Sequence, residues 1–276
     1  MQHAADTLSA VPVADRTART ELALGGIYDQ LKKPQQAAAA YRSALNLAPD
    51  NTDAQRGLAN ALLLDDQLDG ALKVFNQLLA ADPTDAQSAI RIAEIERRQG
   101  NYDLALATLE KAKTQIQNSP DLTMELDYNE ALLYDTLGKY DQAAGVLTGI
   151  LDSTAQPDGK YSDQEQQNRA IFLDRLGIID REQGKTAEAV AAYKQIVALG
   201  GDYRERGYDG EIDAYRDAHQ WKDATAAAAA AAKAMPKDHS MQLTYAGQLA
   251  DVGQVNEGLA LAKAQLTGTQ DDLEVD

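Results

Sequence analysis

A small residue returns about every 34 positions along this chain, and that period limits the folds open to it more than any other feature. Ala37, Ala71, Ala105, Ala143, Ala189, Ala224 and Gly258 each follow a turn-like stretch and precede a helical run. Self-similarity at this spacing belongs to arrays of stacked helix pairs, in which each unit touches only its neighbours. Such an array offers a long surface for binding and no ready place for a buried catalytic pocket. A length of 276 residues would suggest one or two globular domains, but in a repeat array length says little about domain number.

The first block shows how the period is built. Leu24, Gly25 and Tyr28 share one face of a first helix, and Ala37, Tyr41 and Ala44 share one face of a second. Positions i, i+4 and i+7 line up at 3.6 residues per turn. Lys33 and Pro34 separate the two helices, and Pro49, Asp50 and Asn51 end the block with a helix stop followed by good N-cap residues. This pattern resembles the tetratricopeptide repeat, a helix-turn-helix unit with Leu-Gly, then Tyr, then Ala, then an aromatic, then Pro. Leu24, Gly25, Tyr28, Ala37, Tyr41 and Pro49 hold those places, and Glu21 stands where the signature Trp would be.

The resemblance implies an all-α, right-handed α-solenoid of about seven helix pairs. The spacing puts repeats near 18–51, 52–85, 86–119, 124–157, 170–203, 205–238 and 239–272. Residues 1–17 read as an N-terminal extension or a partial capping helix, and 273–276 as an acidic tail. Extra residues fall near Gln117 to Asp121, an extended helix end. A longer insertion near 153–168, with Pro157, Asp158 and Gly159, reads as a surface loop or lengthened helix pair. A hinge or a lid over the groove is the alternative.

The two helices of a repeat cross closely, so the residue at the crossing should be small. Gly25, Ala59, Ala93, Ala131, Gly177 and Ala246 fit that place, and Ile212 is the exception. The run Ala226 to Ala232 either packs backbone to backbone or is the weakest point of the stack. No polar capping helix is evident after the last repeat, so self-association through terminal repeats is one way to cover it.

Composition narrows the partners. The net charge of −17 repels phosphate backbones and anionic lipid, which argues against nucleic acid and membrane surfaces. No apolar run reaches the ~20 residues of a membrane helix, and Met1 to Thr20 lacks the regions of a signal peptide. The compartment stays open between cytoplasm and periplasm. The absence of cysteine excludes disulfides and thiolate zinc sites. His3, His219 and His239 have no partners at metal spacing, Gly25-Gly26 reads as a packing pair inside a helix, and Gly200-Gly201 as a helix stop. The expectation is therefore a non-catalytic scaffold with no cofactor and no metal, binding a protein or peptide partner.

In the tetratricopeptide family the first helix of each repeat lines the concave face where ligands lie. Here Arg19, Arg56, Arg91, Arg97, Arg98, Arg175, Arg181, Arg206 and Arg216 fall on first helices. The lysines, Lys32, Lys73, Lys111, Lys139, Lys185, Lys194 and Lys233 among them, fall on turns and second helices. Arginine grips carboxylates with two bonds, so the division suits a peptide carboxylate. The competing reading is a lattice in which the arginines pair with Asp29, Glu94, Asp135, Asp174, Glu182, Asp209, Asp213 and Asp217.

The expected peptide-binding groove holds Arg56, Asn60, Arg91, Glu94 and Arg98 as polar groups and Leu63, Ile90, Tyr128 and Leu132 as apolar ones. Some family members clamp the C-terminal carboxylate of heat-shock chaperones with Lys and Asn, then Asn, then Lys and Arg. Arg56 and Asn60 match the first pair with Arg for Lys, but Arg91 stands at the second place and Glu125 and Asn129 at the third. That clamp is broken. The chain's own end, Asp271 to Asp276, resembles the tails such clamps recognise, so one molecule's tail entering another's groove is a further expectation. Two other readings are a periplasmic module of an envelope or polysaccharide-export assembly, and an enzyme using the inserted loop.

Overall fold

The computed structural model describes residues 1–116 and 119–266. The described residues form fifteen α-helices, one short 3-10 turn at Val13–Asp15 and no strand, an all-α solenoid of helix pairs. The tail at Asp271 to Asp276, like Gln117, lies outside the described residues. The chain divides into two compact units, Met1–Leu133 and Tyr134–Asp276.

In the first unit a short helix α1 (Gln2–Ser9) packs on α2 (Ala18–Gln30), which pairs with α3 (Pro34–Leu47). Then follow α4 (Thr52–Leu64) with α5 (Leu68–Ala81), α6 (Ala86–Arg98) with α7 (Tyr102–Gln115), and α8 (Pro120–Thr136), in which the division falls. Arg16 ties the N-terminal segment down by donating to the carbonyls of Ser9 and Val11. The second unit holds α9 (Tyr140–Ser153), α10 (Asp163–Glu182), α11 (Thr186–Leu199), α12 (Tyr203–Asp217), α13 (Trp221–Ala234), α14 (His239–Asp251) and α15 (Val255–Ala264). No described helix is long and apolar enough to cross a membrane.

Local chemistry explains the alternation. Thr17, Asn51, Asp85, Ser162 and Asp238 each accept a backbone N–H bond at the start of a first helix, which satisfies one of its free donors. Between the helices of each pair one residue takes positive φ, glycine at Gly100, Gly138, Gly184 and Gly253. Left-handed backbone costs glycine nothing, so these positions set the reversal. Lys32, Asp66 and His219 bear the same conformation with a side chain.

The core is a series of small–large pairs. Where the crossing residue is glycine, it faces the ring four residues after the recurrent alanine of the second helix. Gly25 meets Tyr41, where a Cβ on the glycine would come within 2.5 Å of the ring, and Gly177 meets Tyr193 at 2.6 Å. The next repeat closes each ring from its other side, with Gly57 against Tyr41 and Gly210 against Tyr193. In the same register Ala59 packs in one buried cluster with Phe75, and Ala93 in another with Leu109. The glycine doublet at Gly25-Gly26 is not a packing pair: a Cβ on Gly26 would be 3.9 Å from the Tyr41 hydroxyl, so only Gly25 is needed.

The alanine run resolves by the same rule. Ile212, large where its counterparts are small, packs with Ala224, Ala227 and Ala228. The pair has exchanged sizes, and alanine at 228 makes the room that isoleucine fills.

Between α9 and α10 the chain runs through Thr154–Ser162, and α10 begins at Asp163, earlier than its register requires. The segment is tied to the core. Arg169, buried, donates to the Leu151 carbonyl at 2.9 Å and to Thr154 Oγ1 at 3.2 Å, and its guanidinium lies 4.5 Å from the Tyr161 ring centre. A capping box between Ser162 and Glu165 starts the helix.

Candidate functional site

All nine residues of the expected groove lie in the first unit, on α4, α6 and α8. Arg56 and Asn60 are one turn apart on α4. Ile90, Glu94 and Arg97 are spaced i, i+4 and i+7 on α6, and Tyr128 and Leu132 i, i+4 on α8, so each set shares a helix face. Leu63 and Ile90 are core residues, 6% and 7% exposed, and offer little contact area to a ligand. Tyr128 and Leu132 are half-buried.

The arginines are already engaged. Arg56 forks onto Asp85, with Nη1 to Oδ1 at 3.2 Å and Nη2 to Oδ2 at 2.9 Å. Asp85 also accepts from the backbone N–H and hydroxyl of Ser88 at the head of α6. Burial alone would raise the Asp85 pKa; the Arg56 and Ser88 bonds outweigh it and hold the carboxyl below its ordinary range. Arg56 therefore locks one repeat to the N-cap of the next. Arg91 pairs with Glu94 at 2.7 Å within α6, and Arg98 with Asp66 at 2.6 Å in the preceding repeat's turn.

The second unit repeats this arrangement. Arg175 meets Asp135 at 2.6 Å, Arg206 meets Asp174 at 2.5 Å, and Arg181 meets Asp217 at 2.7 Å. Most of these pairs join neighbouring first helices rather than residues of one helix. Each exposed pair contributes about 0–1 kcal/mol, so the ladder adjusts the stacking rather than driving it. Asp29 is an exception: it accepts the Tyr41 hydroxyl at 2.5 Å.

Arg97 counts among the first-helix arginines but not among the nine expected groove residues. Half-buried in the last turn of α6, it makes no ion pair or side-chain hydrogen bond among the described residues, and neither does Asn60. Arg97 and Arg98 look alike in sequence, and only the partner taken by Arg98 tells them apart.

Buried carboxylates mark departures from apolar repeat positions, and most are compensated. Glu21 pairs with Arg16 at 3.3 Å, Glu130 with Lys113 at 2.6 Å and Glu211 with Lys194 at 3.4 Å. Asp180, buried on α10, is pushed up to about 6 by burial, with Lys185 pulling down and Glu188 pushing up. A carboxyl raised in the fold penalises folding above its folded value, and the penalty is relieved as pH falls through it toward the unfolded value. Lifting Asp180 from 3.8 to about 6 should cost ~1–2 kcal/mol at neutral pH after solvent screening. Asp180→Asn is expected to raise the melting temperature at pH 8 by about 2–6 °C and to flatten its rise between pH 8 and 5. Parallel melting curves for the two proteins across that range would refute this. Below about pH 4 the lowered Asp85 works the other way, and stability should fall.

Among the described residues no group of His, Asp and Glu is arranged to hold a metal ion. Comparison with known proteins agrees with the helix pairing. Residues 30–95 and 62–124 match one family model described as tetratricopeptide repeat, and residues 173–199 match another. The chain is 31% identical over 129 residues to Superkiller protein 3 of Schizosaccharomyces pombe, covering 45% of this chain and 9% of that protein. It is 26% identical over 256 residues to cellulose synthase operon protein C of Xanthomonas axonopodis pv. citri, covering 87% of this chain and 16% of that protein. It thus spans under a fifth of the length of the curated relatives it matches. The solved structure of pilF from Pseudomonas aeruginosa superposes with a TM-score of 0.56 at 19% identity, over 85% of this chain and 97% of that one.

Proposed function

Because this chain is a tetratricopeptide repeat protein, a class of generally non-catalytic scaffolds for protein and peptide partners, we propose that α4, α6 and α8 hold a peptide segment or helix on their shared first-helix face. The observation that carries the reading is that Arg97 on α6 and Asn60 on α4 are uncommitted, while the paired arginines of the same two helices stay partly exposed. Arg97 supplies the free guanidinium for a carboxylate or a carbonyl, and Asn60 both donates and accepts. Arg91, Glu94, Arg56 and Arg98 border them, and Tyr128 and Leu132 add apolar area. A ligand carboxylate would compete with Asp85 for Arg56, so Arg56 positions α6 more than it binds.

An Arg91→Glu/Arg97→Glu variant tests this without touching the Asp85 cap. Circular dichroism should show an unchanged helix content. A partner captured by the wild type should be retained at least tenfold less by the variant, a loss of about 1.4 kcal/mol. Equal retention would move binding off this face.

Similarity to cellulose synthase operon protein C along most of the chain supports a second reading, a repeat module within an envelope or polysaccharide-export assembly. Cross-linking in cells, followed by identification of the linked proteins, separates the two: envelope-assembly components favour the second, soluble peptide-bearing partners the first.

A further inference from the structure

On the other side of the first unit a cleft of about 540 Å³ opens between α5 and α7, with α6 as its floor. That volume falls within the ~300–1,000 Å³ usual for ligand pockets. Leu79 and Ala80 from α5, Leu104 and Ala107 from α7 and Ile92 from α6 make an aliphatic strip in it, beside the polar Asn76, Lys111 and Gln115. Leu104 is 53% exposed, a large apolar side chain at the cleft left open to water.

One carboxylate lies among the lining residues of this cleft. Glu96 lines it and is only 5% exposed, yet it makes a single side-chain hydrogen bond, from Thr108 Oγ1 at 2.9 Å. No cation lies within ion-pair distance of it among the described residues, whereas Glu21, Glu130 and Glu211 each have one. Its pKa is raised by burial, which the Thr108 bond only partly offsets. Lys111 also lines the cleft, but it is exposed and forms no ion pair among the described residues. A buried carboxylate beside aliphatic side chains is complementary to a long side chain with an apolar stem and a charged tip. The chain's net charge of −17 adds a field that draws basic segments toward it.

We propose that this cleft docks a lysine or arginine of a basic segment on a partner protein, with the stem against Leu79 and Leu104 and the charge on Glu96. The site is separate from the first-helix face and does not depend on it. An incoming cation supplies Glu96 with the partner the fold withholds, and its stem covers Leu104.

The test is a methyl NMR titration of the full chain with three defined probes: acetyl-Leu-Lys-Leu-amide and its norleucine and glutamate analogues. The lysine peptide should shift the methyls of Leu79, Leu104 and Ala107, and the other two should not. Glu96→Gln, folded by circular dichroism, should weaken that binding about tenfold. Leu104→Ala, a change at an exposed position, should weaken it severalfold, and Lys111→Met should strengthen it. Equal binding of the lysine and norleucine peptides would overturn the proposal. So would unchanged affinity in Glu96→Gln, the absence of any methyl shift at millimolar peptide, or shifts confined to the first-helix face.

Discussion

Tyr193→Ala is expected to cost about 3–5 kcal/mol, the range for emptying a large aromatic site in a packed core. Tyr193 is 1% exposed and is the largest fully buried side chain among the described residues. Its ring is held between Gly177 and Gly210, two backbones that lack a Cβ because the ring occupies that space. The walls are helices, so they cannot collapse far into the void. Gly210→Ala tests the same contact from the other side. In an exposed helix that change would gain about 1 kcal/mol from propensity. Here the new methyl meets the Tyr193 ring directly, and a net loss of about 1–3 kcal/mol is expected. Repeat arrays lose cooperativity readily, so the loss should appear first as faster amide exchange in α10, α11 and α12, ahead of global melting. A neutral or stabilising Gly210→Ala would show that the ring is free to move aside.

The exchanged pair at Ile212 and Ala228 should give the largest non-additivity. Ile212→Ala alone leaves a cavity and is expected to cost about 2–5 kcal/mol. Ala228→Leu alone forces a bulky side chain onto Ile212, at about 1–3 kcal/mol or more. The double variant recreates the alanine–leucine packing of Ala93 with Leu109. It should be more stable than either single variant, with a coupling of about 2 kcal/mol in the double-mutant cycle. Denaturant midpoints of the four proteins decide the matter. Simple additivity would mean that the two residues do not share one space.

Much of the fold can be read in the sequence because a repeat array uses local rules. The recurrent alanine, the turn glycines and the capping residues act within one helix pair, and each pair states them again. The size exchange at Ile212 shows where such reading stops. An isoleucine among small residues and a run of alanines look like two separate faults, and only their contact makes them one complementary pair.

The candidate site was less legible for the same reason. Sequence shows that arginines gather on first helices, and that follows from helix register alone. It does not show which of them are spent. Arg56 on Asp85, Arg98 on Asp66 and Arg175 on Asp135 reach across repeats, so their commitment depends on how neighbouring helices stack. Arg97 was left uncommitted by that stacking, and Glu96 was left buried without a cation, although Lys111 stands on the same cleft. By itself the sequence determined the period, the turns and the helical class, because these are set by backbone and side-chain preferences within one repeat. Tertiary structure decided which charges are satisfied, because ion pairing is a matter of ångströms between side chains that local sequence does not place.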